Sequence, residues 1–473
     1  MYGKLNSALT LLLAGSAFLT QSIVNGKLVF AHYMVGTVDA STNHAQLDID
    51  GAINVGFDAF ALNVGNPTAD WAINTAQQLF DYAATKSFKL FFSFDFYGNG
   101  DISQHQTLFA KFKDHAAYLQ YNNLPVVSSY SGGSVGPDTW KNFKTTNNVY
   151  LIPNPEADGN YYNNPSAFFK SWADAVDGVF TWETSWPDTS DTPVNVSSTK
   201  DQTIKSAADA AGKAYMMGLS TLQYKHCCGD SWYRAGESTL PERMEQILTL
   251  APEFTEVITW NDAGESHYIG PCWAEGLTSE ILQYGNSDTM PHDGWQPLIA
   301  SFIDAFKANA TSVGAMTPHS GSFAGTMWYR GVLTTCSGDS LRGSGAAVDA
   351  VNYAVVLPQG SSGMSIRVTS GGQVLATQSV SAGLNYNSVK GMKTGAQKLE
   401  LLNGSGQVVA TASSKVDVSD SPTNGFCNYN YYVAGLAGSS SAAAPAAPAS
   451  SAPASSAPAS SPSPSSSCSG KRV

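Results

Sequence analysis

Charge is what this chain has least of. Asp, Glu, Lys and Arg make up 13% of its 473 residues, and 25 basic groups face 37 acidic ones, for a net charge of −12. So few basic groups argue against nucleic acid or an anionic membrane as a partner. Long apolar runs are scarce too. Residues 8–19, behind Lys4 and ahead of Thr20-Gln21-Ser22, form a run too short to span a bilayer, with the layout of a secretory signal peptide assigned to residues 1–26. No Gly-rich phosphate loop follows the first apolar segment, where His32-Tyr33-Met34-Val35-Gly36 is bulky, and this disfavours a nucleotide-binding open sheet. Cysteine is limited to six, at spacings unlike paired zinc-ligand knuckles, so no metal site is expected. Six cysteines behind a signal peptide fit an oxidising compartment, with the protein secreted, extracellular or wall-associated. Cys336 and Cys427 are placed to form a bridge, one pair among Cys227, Cys228 and Cys272 could staple loops, and Cys468 stands alone. Sequons occur at Asn195, Asn309 and Asn403.

Aromatic residues are plentiful, with 10 Trp, 21 Tyr and 21 Phe. Together with low charge they suit a neutral, hydroxyl-rich ligand. Short apolar runs recur at residues 28–33, 59–63, 90–95, 125–130, 149–153, 179–183, 214–218 and 257–260. Amphipathic helical patterns fill several gaps, at 71–85, 106–121, 166–175, 241–250 and 295–308. Eight buried strands alternating with helices predict an α/β fold, a (β/α)8 TIM barrel over residues 27–318. In such a barrel the strand ends His32, Asn63, Asp95, Tyr130, Asn154, Glu183, Tyr224 and Asp262 converge on one face. From 319 to 436 the pattern changes to β-rich runs at 346–357, 365–374, 399–402 and 407–412 between Gly-, Ser- and Asn-rich turns, which predicts an antiparallel β-sandwich. Residues 437–473 are rich in Ser, Ala and Pro, cannot build a core and read as a disordered stalk or linker.

Residues 257–268 carry the most chemistry. Val257-Ile258-Thr259-Trp260 reads as a buried strand, after which the chain delivers Asp262 and Glu265 with His267 and Tyr268 beside them. Two carboxylates beyond a strand end are what glycoside hydrolysis requires, one to protonate the leaving oxygen and one to activate water or attack carbon. An N-cap aspartate followed three residues later by glutamate would leave the same pattern. Trp182, Trp186, Trp260 and Tyr268 are candidate platforms for sugar rings, or core packing, and His32, Tyr33, Asn63, Glu183 and His267 complete the candidate binding set.

Five segments in order resemble glycoside hydrolase family 71, the largely fungal endo-α-1,3-glucanases or mutanases. They are Val-Phe-Ala-His-Tyr-Met-Val-Gly at 29–36, Phe-Asp-Ala-Phe-Ala-Leu-Asn-Val-Gly at 57–65, Lys-Leu-Phe-Phe-Ser-Phe-Asp at 89–95, Lys-Ala-Tyr-Met-Met at 213–217, and 258–270. The resemblance implies hydrolysis of α-1,3-glucan with inversion, needing neither metal nor organic cofactor. It places the catalytic pair on Asp262 and Glu265, with Asp95 the next candidate and Asp58 a structural residue. Glu265, the longer side chain, is the expected acid and Asp262 the base. Ala263 stands where relatives tend to carry an aromatic, and residues 218–223 lack the Pro, Trp and Phe usual there. A monomer is expected. A non-catalytic carbohydrate-binding or wall protein and a barrel hydrolase of another glucan are the rival readings.

Overall fold

The computed structural model describes residues 26–97, 101–338 and 341–438. The expected signal peptide and, from 439 onward, the Ser/Ala/Pro tail lie outside the described residues.

Eight parallel strands form the first sheet: β1 (Leu28–Met34), β2 (Ala59–Val64), β3 (Lys89–Asp95), β4 (Leu124–Tyr130), β5 (Tyr150–Ile152), β6 (Gly178–Thr181), β7 (Ala214–Ser220) and β8 (Phe254–Ile258). Four are buried along their whole length and the others everywhere but at their ends, as expected for strands covered on both faces. They pair in the order β5-β4-β3-β2-β1-β8-β7-β6, so that the last strand closes onto the first. A short antiparallel strand, Gln120–Tyr121, also pairs with β4. The sheet curls, and its free ends β5 and β6 approach each other. Only two backbone hydrogen bonds join them there, Asp177 N–H to Leu151 O and Phe180 N–H to Pro153 O, both 2.9 Å. The expected closed barrel is therefore met as a mixed α/β fold with a curled parallel sheet. The reason for the weak seam is local: β5 and β6 have three and four residues, and Pro153 has no N–H to donate.

Helices cover the sheet where the periodicity places them, with one exception. The helical pattern over 106–121 is realised as Ile102–Phe112. Beyond it the chain turns back under the sheet, where Leu119 N–H bonds Leu90 O at 2.7 Å and the Tyr118 hydroxyl donates to Val126 O at 3.0 Å. Those bonds compete with a further helical turn and win. The helix α1 (Ala45–Val55) stops at Gly56, whose φ of 98° is a left-handed conformation that a glycine adopts without steric cost.

The C-terminal part holds two antiparallel sheets. One runs Gly383–Lys390, Ala350–Leu357, Ala324–Arg330, Tyr431–Gly435, and the other Gln373–Val380, Met364–Ser370, Gln397–Leu402, Val408–Ser413, Ala437–Gly438. They share an apolar cluster that includes Met327, Tyr329, Val351, Val355, Ile366, Val368, Leu399 and Leu401. The single run expected over 365–374 is two strands, because Gly371 and Gly372, at φ 53° and 79°, reverse the chain between them. Ala437–Gly438, expected to begin the tail, pairs with Val408–Ser413.

Strand Ala324–Arg330 belongs to both halves. Its alternate residues Met327 and Tyr329 face the second cluster, while Trp328 enters the cluster around the first sheet and donates its indole N–H to Gly236 O at 3.2 Å. The Tyr431 hydroxyl reaches Tyr233 at 2.7 Å across the same boundary. Cys336 and Cys427 form a disulfide, while Cys227 and Cys272 are free thiols.

Replacing Trp328 with alanine should lower the unfolding free energy by about 3–5 kcal/mol, the usual cost of emptying a buried aromatic site. Chemical denaturation monitored by far-UV circular dichroism measures it. A loss of about 0.5 kcal/mol, typical of surface changes, would show that the two parts do not depend on this contact.

Candidate active site

The turn after β8 is built by its own backbone. Thr259 N–H bonds His267 O at 2.9 Å, Ile269 N–H bonds Thr259 O at 3.1 Å, and Gly270 N–H bonds Trp260 O at 2.7 Å. Trp260 N–H bonds His32 O at 2.7 Å, tying the turn to β1. Gly270 has to be glycine, since a Cβ there would stand 2.3 Å from the Trp260 ring. Within the loop, Asp262 N–H bonds Thr259 Oγ1 at 2.9 Å and Glu265 N–H bonds Asp262 Oδ1 at 3.0 Å. That second bond has N-cap form, but a single turn over residues 263–266 follows it and no helix. The aspartate therefore shapes the turn that presents Glu265.

The hydroxyl of Thr259 also lies 3.3 Å from His267 Nδ1. With its oxygen accepting from Asp262 N–H, its proton is available to Nδ1, which leaves the His267 proton on Nε2. That nitrogen faces Glu265 Oε2 at 3.2 Å and stands 4.0 Å from Asp262 Oδ2. Glu265 Oε2 also accepts the Gln223 side-chain N–H at 2.5 Å. Burial alone would raise the pKa of Glu265. The His267 and Gln223 hydrogen bonds and the nearby Lys225 ammonium outweigh it, and Glu265 is held below the ordinary glutamate value. For Asp262 burial prevails: its pKa is raised, His267 opposing the shift and the charge of Glu265 adding to it.

Asp95, ending β3, is also raised, chiefly by burial. Tyr97 N–H at 2.8 Å and the Asn63 side chain oppose that shift, and Glu265 adds to it. His32 bonds Glu256 through Nδ1 at 2.6 Å, both side chains wholly buried, and its Nε2 has no hydrogen-bond partner among the described residues. Trp182 meets the His32 ring edge-on at 4.8 Å and Tyr130 at 4.9 Å, and Trp186 lies 5.3 Å from the His267 ring. Glu183 accepts from Arg234 at 2.9 Å. His32, Asn63, Asp95, Trp182, Trp186, Glu183, Asp262, Glu265 and His267 are thus linked into one network.

Tyr33, Trp260 and Tyr268 are not part of it. Trp260 is wholly buried and donates to Asp48 Oδ1 at 3.0 Å, while the Tyr33 hydroxyl donates to Asp48 Oδ2 at 2.7 Å. Tyr268 stacks on His292 at 4.0 Å and donates to Met290 O at 2.5 Å. Trp260 lies past the end of β8, where its backbone is tied to His32 and Gly270 and its indole to Asp48, while the Thr259 hydroxyl meets Asp262 N–H and His267. Asp58 lies where the resemblance puts it, away from the site, accepting from Val29 N–H and Lys307.

Gln223, Lys225, Arg234 and Tyr130 escaped the candidate set. The first three lie on a hairpin, Gln223–Cys227 and Asp230–Arg234, inserted after β7. Two alternating runs about Cys228-Gly229 are its signal in the sequence. Tyr130, a strand end, sits among Glu265, Asp95 and Glu156. Spacing in the sequence also hid a donor set: one atom each from Asp262, Glu265 and His267 lie within 4.8 Å, near enough to hold a cation. The hydrogen bonds to Glu265 Oε2 already account for the arrangement.

Residues 25–445 match the glycosyl hydrolase family 71 profile. A mutanase of Penicillium rubens is 32% identical over 427 residues, covering 88% of this chain and 90% of its own. A glucan endo-1,3-α-glucosidase of Schizosaccharomyces pombe is 30% identical over 337 residues, covering 67% and 73%. Among solved structures, an endo-α-mannosidase of Bacteroides thetaiotaomicron superposes with a TM-score of 0.48 at 13% identity over 59% of this chain and 98% of its own. Two half-buried carboxylates on one turn beyond a parallel strand, with the family profile running through both halves of the fold, lead to one assignment: the chain belongs to glycosyl hydrolase family 71.

Proposed function

We propose that this protein is a secreted glycosidase that cleaves internal α-1,3-glucosidic bonds of fungal wall α-1,3-glucan with inversion. We place the site at one end of a closed (β/α)8 barrel backed by a β-sandwich. The observation that carries the reading is the opposite displacement of two carboxyl groups on one turn, Asp262 toward the acid form and Glu265 toward the carboxylate. Naming of the two relatives supports the substrate. The bonds between β5 and β6 support closure of the barrel, and the disulfide supports export.

The allocation is the reverse of the one expected from side-chain length. Asp262 donates its proton to the glycosidic oxygen as the bond from that oxygen to the anomeric carbon breaks. Glu265 takes a proton from the water whose oxygen bonds to that carbon. His267 and Gln223 keep Glu265 ionised, and Thr259 keeps the His267 proton on Nε2.

One distance favours a second reading. Oxygens of the two carboxyl groups approach within 4.8 Å, whereas inversion wants about 6.5–9.5 Å between carboxyl groups and retention about 5–5.5 Å. Inversion then requires the water to enter at the outer oxygen, Glu265 Oε1, which takes neither the Gln223 nor the His267 proton. Retention would instead use Glu265 as nucleophile.

On a panel of soluble α-1,3-, α-1,4- and β-1,3-glucans, the wild type should release reducing ends from the first alone. Asp262→Asn and Glu265→Gln should each lower that rate about 10²–10⁴-fold with unchanged circular dichroism. Near-normal turnover by either variant removes its residue from the pair.

Activity should fall as pH drops through the lowered pKa of Glu265, because the base becomes protonated, and again as pH rises through the raised pKa of Asp262, because the acid is lost. Replacing Gln223 with leucine removes one donor and should move the acidic limb of kcat/KM to higher pH. An acidic limb that stays in place contradicts the role given to Glu265.

A further inference from the structure

Beside the Asp262–Glu265 turn lies a cleft of about 510 Å³ that the chemistry assigned to that turn does not use. Its inner end is formed by Gln223, Arg234 and Glu183. Arg234 holds all three together, donating to Gln223 Oε1 at 3.2 Å, Glu183 Oε2 at 2.9 Å and Pro187 O at 2.9 Å. Gln223 in turn bonds Glu265, so the cleft wall and the reacting carboxylate are one hydrogen bond apart.

Two lining residues, Arg342 and Gly343, come from the C-terminal part of the chain. Arg342 is stitched to the hairpin by Tyr233 N–H to Arg342 O at 2.8 Å and Arg342 N–H to Ser231 O at 3.3 Å, and its guanidinium lies 5.7 Å from the Trp232 ring centre. The seam is tight on its other side as well: a Cβ on Gly343 would stand 2.3 Å from Tyr233 O, and one on Gly345 2.4 Å from Asp191 O. The C-terminal half thus completes, with Arg342 and Gly343, a cleft otherwise lined by the first half.

We propose that this cleft is a glucosyl-binding subsite, taking hexose units of the α-1,3-glucan chain that flank the bond under attack. The proposal rests on the glycosidase reading above and extends it. The volume falls within the range of about 300–1,000 Å³ usual for ligand sites. The lining carries the carboxylates Glu183, Asp188 and Asp191 against the guanidinium groups of Arg234 and Arg342, a near-balanced charge that suits a neutral ligand over an anion. Both group types present paired oxygens or N–H donors that match neighbouring sugar hydroxyls. A hydroxyl that engages Arg234 or Glu183 touches the groups that position Gln223, so occupancy of the cleft and placement of the base are coupled.

The test is the dependence of kcat/KM on chain length, measured on end-labelled α-1,3-gluco-oligosaccharides for the full chain, Arg342→Ala, Arg342→Lys and the cleft-filling Thr189→Trp. In the wild type kcat/KM should climb with length. Arg342→Ala should lower it about tenfold or more on the longest substrates, the usual effect of losing a hydrogen bond to a charged group, with the loss shrinking as the chain shortens. Arg342→Lys should restore part of it, and Thr189→Trp should reproduce the length-dependent loss. A wild type indifferent to length, or variants that lose the same factor at every length, overturns the subsite. If the wild type cleaves another glucan and no α-1,3-oligosaccharide, the substrate reading fails, and the same series on that glucan decides the cleft by the same criterion.

Discussion

Everything distinctive about this site depends on how Glu265 Oε2 is held. It takes N–H groups from Gln223 and His267 in a pocket where burial would otherwise favour its neutral form. Two donors of fixed direction reverse the sign of the burial effect for this one carboxyl group. Asp262, three residues earlier, spends one oxygen on the turn itself and lacks comparable donors, so burial decides its state. Two acids that share one turn are displaced in opposite directions by their hydrogen bonds together with the charges around them.

The surrounding fold keeps those donors in place from three directions. From below, Asp48 on α1 collects the Tyr33 hydroxyl and the indole N–H groups of Trp260 and Trp273, locking the root of the turn to β1 and α1. From the side, Arg234 fixes Gln223 and lies against the Trp186 ring, which packs on His267. From behind, Trp328 and Tyr431 bring the C-terminal sheets against Gly236 and Tyr233, at the foot of the hairpin that carries Gln223. The second half of the chain is therefore part of the support of the site.

Much of this was legible in the sequence, for a physical reason. Parallel strands buried on both faces are near-continuous apolar runs, and all eight could be counted. Their polar ends marked one rim, from which Asp95, Asp262 and Glu265 could be chosen. What stayed hidden was direction. A tryptophan beside a candidate catalytic aspartate looks like a sugar platform, yet the turn after β8 points Trp260 inward to Asp48. Tyr33 and Tyr268 likewise turn to other partners, Tyr33 to Asp48 and Tyr268 to Met290 O. Gln223 and Arg234 carry no motif, because their importance comes from contacts with residues 42 and 51 positions away. The helical pattern over 106–121 runs past the helix end at Phe112 because periodicity cannot register the bonds of Leu119 to β3 and Tyr118 to β4.

The most direct measurement of the account is the anomeric form of the first product released from soluble α-1,3-glucan, followed by proton NMR before mutarotation. If Glu265 acts as a base on water while Asp262 protonates the leaving oxygen, the new reducing end appears first as the β-anomer. Initial appearance of the α-anomer would show that Glu265 attacks carbon directly, and would contradict the role that its two hydrogen bonds have been given.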